Sequence, residues 1–175
     1  YPNAESKTMI ASKLAERLLG GDPEPGLTKQ QTAELIQKYI KEATPLFEDQ
    51  NFKGVYTPGR LAALYIRRAQ ALDRSDQVLD NIPLQEIEAA YLQAMRIADR
   101  ERETDAHSQD AGIRARYYYA IFLVNRFGDA RADEIRSLLK QVASIDGPQY
   151  AAFKRYISGV FKRPNTSYIK TQVLK

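Results

Sequence analysis

Eight apolar residues in a row, Tyr117-Tyr118-Tyr119-Ala120-Ile121-Phe122-Leu123-Val124, set the tightest limit on the fold. A helix built from them is apolar all round and has to be covered on most sides. The run is far short of the roughly 20 residues a membrane span takes. Gly128-Asp129 follows it, then Glu134–Val142, which is apolar on one face only. Ala111–Val142 therefore reads as two antiparallel helices joined by a tight turn, with a central helix beside a half-exposed one. A buried strand is the rival reading of Tyr117–Val124, because aromatic and β-branched residues favour sheets. The run stands alone, a lone strand has nothing to pair with, and the helix is the expectation.

The same spacing argument places further helices on either side. The first runs from about Ala4 to Leu19, with Ile10, Leu14 and Leu18 four apart, and Gly20–Gly26 with two prolines stops it. Thr28 caps the second, with Gln31 three residues on where a capping box wants it. Its apolar face is Ile36, Tyr39, Ile40, Ala43 and Phe47, and Pro45 predicts a kink or an early end. Thr57-Pro58 opens the third, over Arg60–Leu72, with small residues at Ala62, Ala63, Ala69 and Ala71 that permit close helix approach. Asp73–Asn81 reads as a polar turn. The fourth begins at Pro83 and carries Ile87, Tyr91, Ala94, Met95 and Ala98. Asp105–Asp110 reads as a loop or a frayed helix start. After the central pair, Asp146-Gly147-Pro148 precedes a seventh helix with the face Phe153, Ile157 and Val160. A strand over Ser167–Leu174 has no partner to pair with. The expectation is an all-α chain of about seven helices stacked as antiparallel helical hairpins, one domain over 1–163 and a flexible basic tail over 164–175.

At 175 residues the chain is long enough for one substantial core. Without cysteine it has no disulfide, thiolate metal site or cysteine nucleophile. The charge of +4 is spread among acids, as in Asp99-Arg100-Glu101-Arg102-Glu103, and reads as a solvated face. Beyond Asp146 the charges are basic only. The start at Tyr1 without methionine and the long polar loops point to a soluble domain of an exported or anchored bacterial protein.

Ile87-x-x-x-Tyr91-x-x-Ala94 and Ile135-x-x-x-Leu139-x-x-Val142 share a spacing, as do Ile36/Ile40/Ala43 and Phe153/Ile157/Val160. With Gly128-Asp129 between two helices, Arg60–Ala143 resembles a degenerate tetratricopeptide-repeat array. Three departures stand out: Ile87 replaces a small residue, Ile135 lies about two residues later than Gly128-Asp129 would place it, and Ile87 and Ile135 lie 48 residues apart, against about 34 in the standard repeat. The resemblance implies a right-handed array whose first helices line a concave groove, where Asn with Arg or Lys holds an extended peptide. The dicarboxylate-clamp residues of that family are not recognisable here.

Three consecutive tyrosines point about 100° apart around a helix, so at least one of Tyr117–Tyr119 faces outward. Arg114, Tyr118 and Asn125 share one face, in steps of four and seven. Together with Tyr65 and Arg68 they are the candidate peptide-binding set, the competing reading being core tyrosines with snorkelling arginines. The expected function is a non-catalytic protein- or peptide-binding scaffold. The alternative is a nucleic-acid-binding domain using Lys154, Arg155, Lys162, Arg163 and Lys170 on phosphates, with Tyr156, Phe161 and Tyr168 stacking on bases. Catalysis has weaker grounds. His107 beside Asp105 and Asp110 fits a general base but also a loop histidine. Glu86/Glu88 and Asp133/Glu134 fit a carboxylate pair or a solvated surface. No phosphate loop, dinucleotide fingerprint or nucleophile elbow is present, and no metal or cofactor is implied.

Overall fold

A computed structural model describes residues 2–20, 25–48, 58–100 and 106–144, with positions 151 and 155. Among these the chain is all-helical. Six α-helices follow in order: α1 (Pro2–Gly20), α2 (Lys29–Glu48), α3 (Pro58–Leu79), α4 (Leu84–Arg100), α5 (Ala106–Phe127) and α6 (Ala132–Ala143). A 3-10 turn, Gly128–Arg131, joins the last two. The expected seventh helix falls outside the described residues except for Ala151 and Arg155, both helical, and the expected tail lies wholly outside them. Two compact units divide the chain, Tyr1–Gly112 and Ile113–Lys175, with the boundary inside α5.

In the first unit α1 packs on α2 and α3, α2 on α3, and α3 on α4. The capping box forms as the sequence dictates: the Gln31 N–H donates to Thr28 Oγ1 at 3.1 Å, and the Thr28 N–H donates to Gln31 Oε1 at 2.9 Å. Two backbone donors are thereby satisfied at the open end of α2. Ile36, Ile40 and Ala43 are buried and Tyr39 is half-buried. α2 does not end at Pro45 but runs on to Glu48. Pro45 forfeits its own bond to the Lys41 carbonyl, and the three residues after it complete the last turn.

The face of α1 differs from expectation. Leu14 and Leu18 are buried, but Ile10 is 44% exposed. Steps of four advance a helix by 400°, so Ile10 stands about 80° away from Leu18. Thr8, Ala11, Ser12 and Ala15 fill the contact instead, all buried and all small. Across the same region Lys7 Nζ meets Glu42 Oε2 at 2.6 Å, and Arg60 Nη2 meets Glu5 Oε1 at 2.6 Å.

α3 is longer than its sequence suggests, since Asp73–Leu79 is helix rather than turn. Buried polar groups hold the extra turns. The Ser75 hydroxyl donates to the Leu72 carbonyl at 3.0 Å and accepts from Gln37 Nε2 at 3.3 Å. The buried carboxylate of Asp76 accepts the Ile82 N–H at 2.8 Å, fixing the chain as it leaves the helix. Gln37 and Asn81 exchange amide bonds at 2.8 and 3.2 Å, tying α2 to the α3–α4 connection. Asp80 takes φ +49° there, the left-handed geometry that ends a helix. Among the described residues no buried side-chain nitrogen or oxygen lacks a hydrogen-bond partner.

Near the start of α3, Gly59 lies against the first turn of α5. A Cβ built on it would stand 2.6 Å from the His107 carbonyl carbon and from the Ser108 nitrogen. That separation is open only to glycine. Ala106–Asp110 is the start of α5, so of the two readings left open for Asp105–Asp110 the helical one holds over its described residues.

The second unit, over its described residues, is an α5–α6 hairpin. Gly128 at φ +56° makes the turn. α6 buries Ile135, Leu138, Leu139 and Val142, one i, i+3, i+4, i+7 stripe. Each is worth about 1.5–3 kcal/mol when fully covered. Two side-chain bonds set the hairpin register: Tyr119 OH donates to Glu134 Oε1 at 2.9 Å, and Arg116 Nε donates to Gln141 Oε1 at 2.6 Å. Phe122 stacks with Tyr119 and meets the Phe127 ring edge-on at 6.2 Å, and the Arg131 guanidinium lies 4.9 Å from the Phe127 centroid.

Candidate functional site

The part of α5 in the second unit is covered nearly all round, as its apolar run requires. Ile113, Ala115, Tyr117, Tyr119, Ala120, Phe122, Leu123 and Val124 are buried. Arg116, Arg126 and Phe127 are half-buried on other sides, and four further residues line one strip. Arg114 and Asn125 are exposed, and Tyr118 and Ile121 are half-buried. At 100° per residue these four fall within an arc of about 60°.

Of the three consecutive tyrosines, Tyr118 is therefore the one that turns outward. The Tyr119 hydroxyl is engaged by Glu134, and Tyr117 is 8% exposed with its ring edge-on to Tyr118 at 5.3 Å. The strip combines a guanidinium, a phenol, an aliphatic side chain and an amide. Such a set offers hydrogen bonds and contact area. Ile121 is its one member that sequence reasoning passed over. The signal was there, since 118, 121 and 125 continue the three-then-four spacing, but Ile121 also belongs to the apolar run and was counted as core.

Tyr65 and Arg68, three residues apart on α3, are half-buried members of the first unit. The five candidates thus divide between the units, two in the first and three in the second.

The candidates for chemistry resolve differently. His107 is exposed in the first turn of α5, with Asp110 half-buried one turn on, and Asp105 lies outside the described residues. Glu134 is engaged by Tyr119 and by Arg131 Nε at 2.8 Å, while Asp133 pairs with Arg136. These two carboxylates are thus committed to the hairpin and its surface. The turn forms an open concavity of about 420 Å³ lined by Asp129–Glu134. Its lining is six consecutive residues, so it is the surface of the turn itself. Among the described residues no three His, Cys, Asp or Glu side chains converge as a metal would need, and no helix is long and apolar enough to cross a membrane. Of the basic residues proposed for phosphate contacts, only Arg155 is described, and it is exposed.

Comparison with known proteins returned no match: neither a protein-family model, nor a curated protein, nor a solved structure is similar to this chain.

Proposed function

We propose that this chain is a non-catalytic, helical-hairpin scaffold module that binds a protein or extended peptide, with its binding face centred on Arg114, Tyr118 and Asn125. One observation carries the reading: the apolar run of α5 is buried except at Tyr118 and Ile121, which lie on one strip with the exposed Arg114 and Asn125. Solvating a surface needs only charges. Tyrosine beside arginine and asparagine is the composition of recognition surfaces, in which a rigid aromatic supplies area and the polar groups supply direction. Ile121 adds an apolar contact in the middle of the strip. Tyr65 and Arg68 are not required for this face. The reading is in keeping with the resemblance to tetratricopeptide arrays, in which the first helix of each hairpin carries the ligand contacts.

The test is capture on an array of extended peptides of defined composition: acidic-aromatic, neutral and basic. Wild type is compared with Arg114→Ala/Tyr118→Ala at low and moderate salt, with helical content followed by circular dichroism. Loss of capture in a variant that keeps its helices is the expected result. Capture unchanged by the double substitution refutes the site. Retention of nucleic acid that vanishes with moderate salt, in wild type and variant alike, transfers the function to the basic C-terminal region.

A further inference from the structure

Three of the four bounds of α3–α4 and α5–α6 recur at one offset, the exception being that α6 stops at Ala143, five residues short of the counterpart of Arg100. α3 begins at Pro58 and ends at Leu79, and α5 begins at Ala106 and ends at Phe127, each 48 residues later. α4 begins at Leu84 and α6 at Ala132, again 48 on. The two left-handed turn residues, Asp80 and Gly128, have the same separation. So have the buried stripes, with Ile87, Ala90, Tyr91 and Ala94 answered by Ile135, Leu138, Leu139 and Val142. Any amphipathic helix yields such a stripe, but nothing generic makes three helix bounds, a turn conformation and a stripe agree on one number.

Polar residues repeat at the same offset. Arg68, Glu86 and Gln93 are answered by Arg116, Glu134 and Gln141. In the second hairpin these three residues join helix to helix: Arg116 to Gln141, and Glu134 to Tyr119. In the first hairpin the counterpart of Tyr119 is Ala71, which has no hydroxyl, and Glu86 accordingly stands exposed whereas Glu134 is half-buried. Arg68 and Gln93 keep both partners of the other bond. The hydrogen bond that the structure gives Gln93 is from Arg96 Nη1 rather than Arg68, at 2.8 Å to Oε1, and a carbonyl oxygen has room for a second donor.

We infer that α3–α4 and α5–α6 are two copies of one 48-residue hairpin unit, and that Arg68 and Gln93 form the same helix-to-helix clasp as Arg116 and Gln141. Arg68 then closes its hairpin rather than contacting a ligand. The inference does not rest on the peptide-binding reading, because it concerns packing within each hairpin.

Because the chain contains no cysteine, the register can be read with engineered pairs in the full-length protein. Arg116→Cys/Gln141→Cys serves as reference and Arg68→Cys/Gln93→Cys as test. Tyr65→Cys/Gln93→Cys and Leu72→Cys/Gln93→Cys displace the register by one turn each way. The probe is dibromobimane, which bridges two nearby thiols and becomes fluorescent when both arms have reacted. Reference and test pairs are expected to label to within about twofold of each other, and the displaced pairs several-fold less. A displaced pair that labels better than Arg68→Cys/Gln93→Cys overturns the shared register. For the bond itself, Arg68→Ala, Gln93→Ala and their combination form a double-mutant cycle by urea unfolding. A coupling of about two- to fivefold in the unfolding constant is expected. Strict additivity overturns the clasp.

Discussion

Gly59→Ala adds one carbon where the structure leaves no room for it. The new Cβ would lie 2.6 Å from two backbone atoms, the His107 carbonyl carbon and the Ser108 nitrogen, and 2.8 Å from His107 Cβ. Comfortable carbon contacts begin near 3.5 Å, so the first turns of α3 and α5 must part by roughly 1 Å. Backbone cannot swing aside as a side-chain tip does. Overpacking of this kind costs about 1–3 kcal/mol. Alanine returns part of that, up to about 1 kcal/mol in a helix interior and less in a first turn. The net expectation is a loss of about 1–2 kcal/mol, or roughly 5–10 °C in melting temperature for a unit of this size. Thermal unfolding by circular dichroism, with urea midpoints alongside, measures it. A second variant fixes the cause: Gly59→Ala/His107→Ala should melt no higher than Gly59→Ala, because the closest obstacles are backbone. Unchanged or increased stability of Gly59→Ala, or rescue by trimming His107, refutes the reasoning.

The two left-handed turn residues give opposite outcomes under urea unfolding. Asp80→Gly removes the strain of an L-residue at φ +49° and should gain about 0.5 kcal/mol after the added freedom of the unfolded chain is counted. Gly128→Ala imposes the same strain at φ +56° and should lose about 1–2 kcal/mol; the reverse order refutes the turn assignment. At low pH the Lys7–Glu42 pair should matter. The hydrogen bond from Lys7 holds the Glu42 carboxyl below its ordinary value of 4.5; burial opposes it, and the charges of Lys7 and Lys38 add to the lowering. A lowered folded value means that the pair stabilises fully above the unfolded value and loses its contribution as pH falls through the folded one. Glu42→Gln should therefore flatten the urea midpoint against pH below about 4.5 and leave its slope above pH 6 unchanged; identical profiles would show the pair to be inert.

The helices were legible where periodicity and capping chemistry agreed. Thr28 with Gln31 announced α2, and the face of α6 was visible as one stripe, because both signals are local. What sequence could not supply was tertiary. Asp73–Asn81 looks like a turn by composition, since polar residues there usually meet water. Ser75 and Asp76 are instead buried, with Gln37 and the Ile82 N–H as partners, and those partners are remote or unremarkable in sequence. Ile10 erred in the opposite direction. A large apolar residue at helical spacing was counted as core, while the contact was made by Thr8, Ala11 and Ser12, whose smallness brings the helices together.

The candidate site shows the same division between what a helix dictates and what its neighbours decide. Three tyrosines in a row guarantee an outward one, and the positions of Arg114 and Asn125 select Tyr118, so that part follows from 100° steps alone. Which residues of the strip serve a ligand and which serve the hairpin depends on the partner helix. Arg114 and Arg116 are two residues apart in the same basic context, yet Arg116 reaches Gln141 while Arg114 stands on the exposed strip. The two differ by about 200° around the helix, and α6 lies along the side that Arg116 faces. A guanidinium facing a glutamine on a packed neighbour closes a hairpin, whereas Arg114 shares an exposed face with Tyr118 and Asn125. If the two hairpins share one register, Arg68, at the position of Arg116 in the preceding hairpin, belongs with closure, and the proposed binding face narrows to α5.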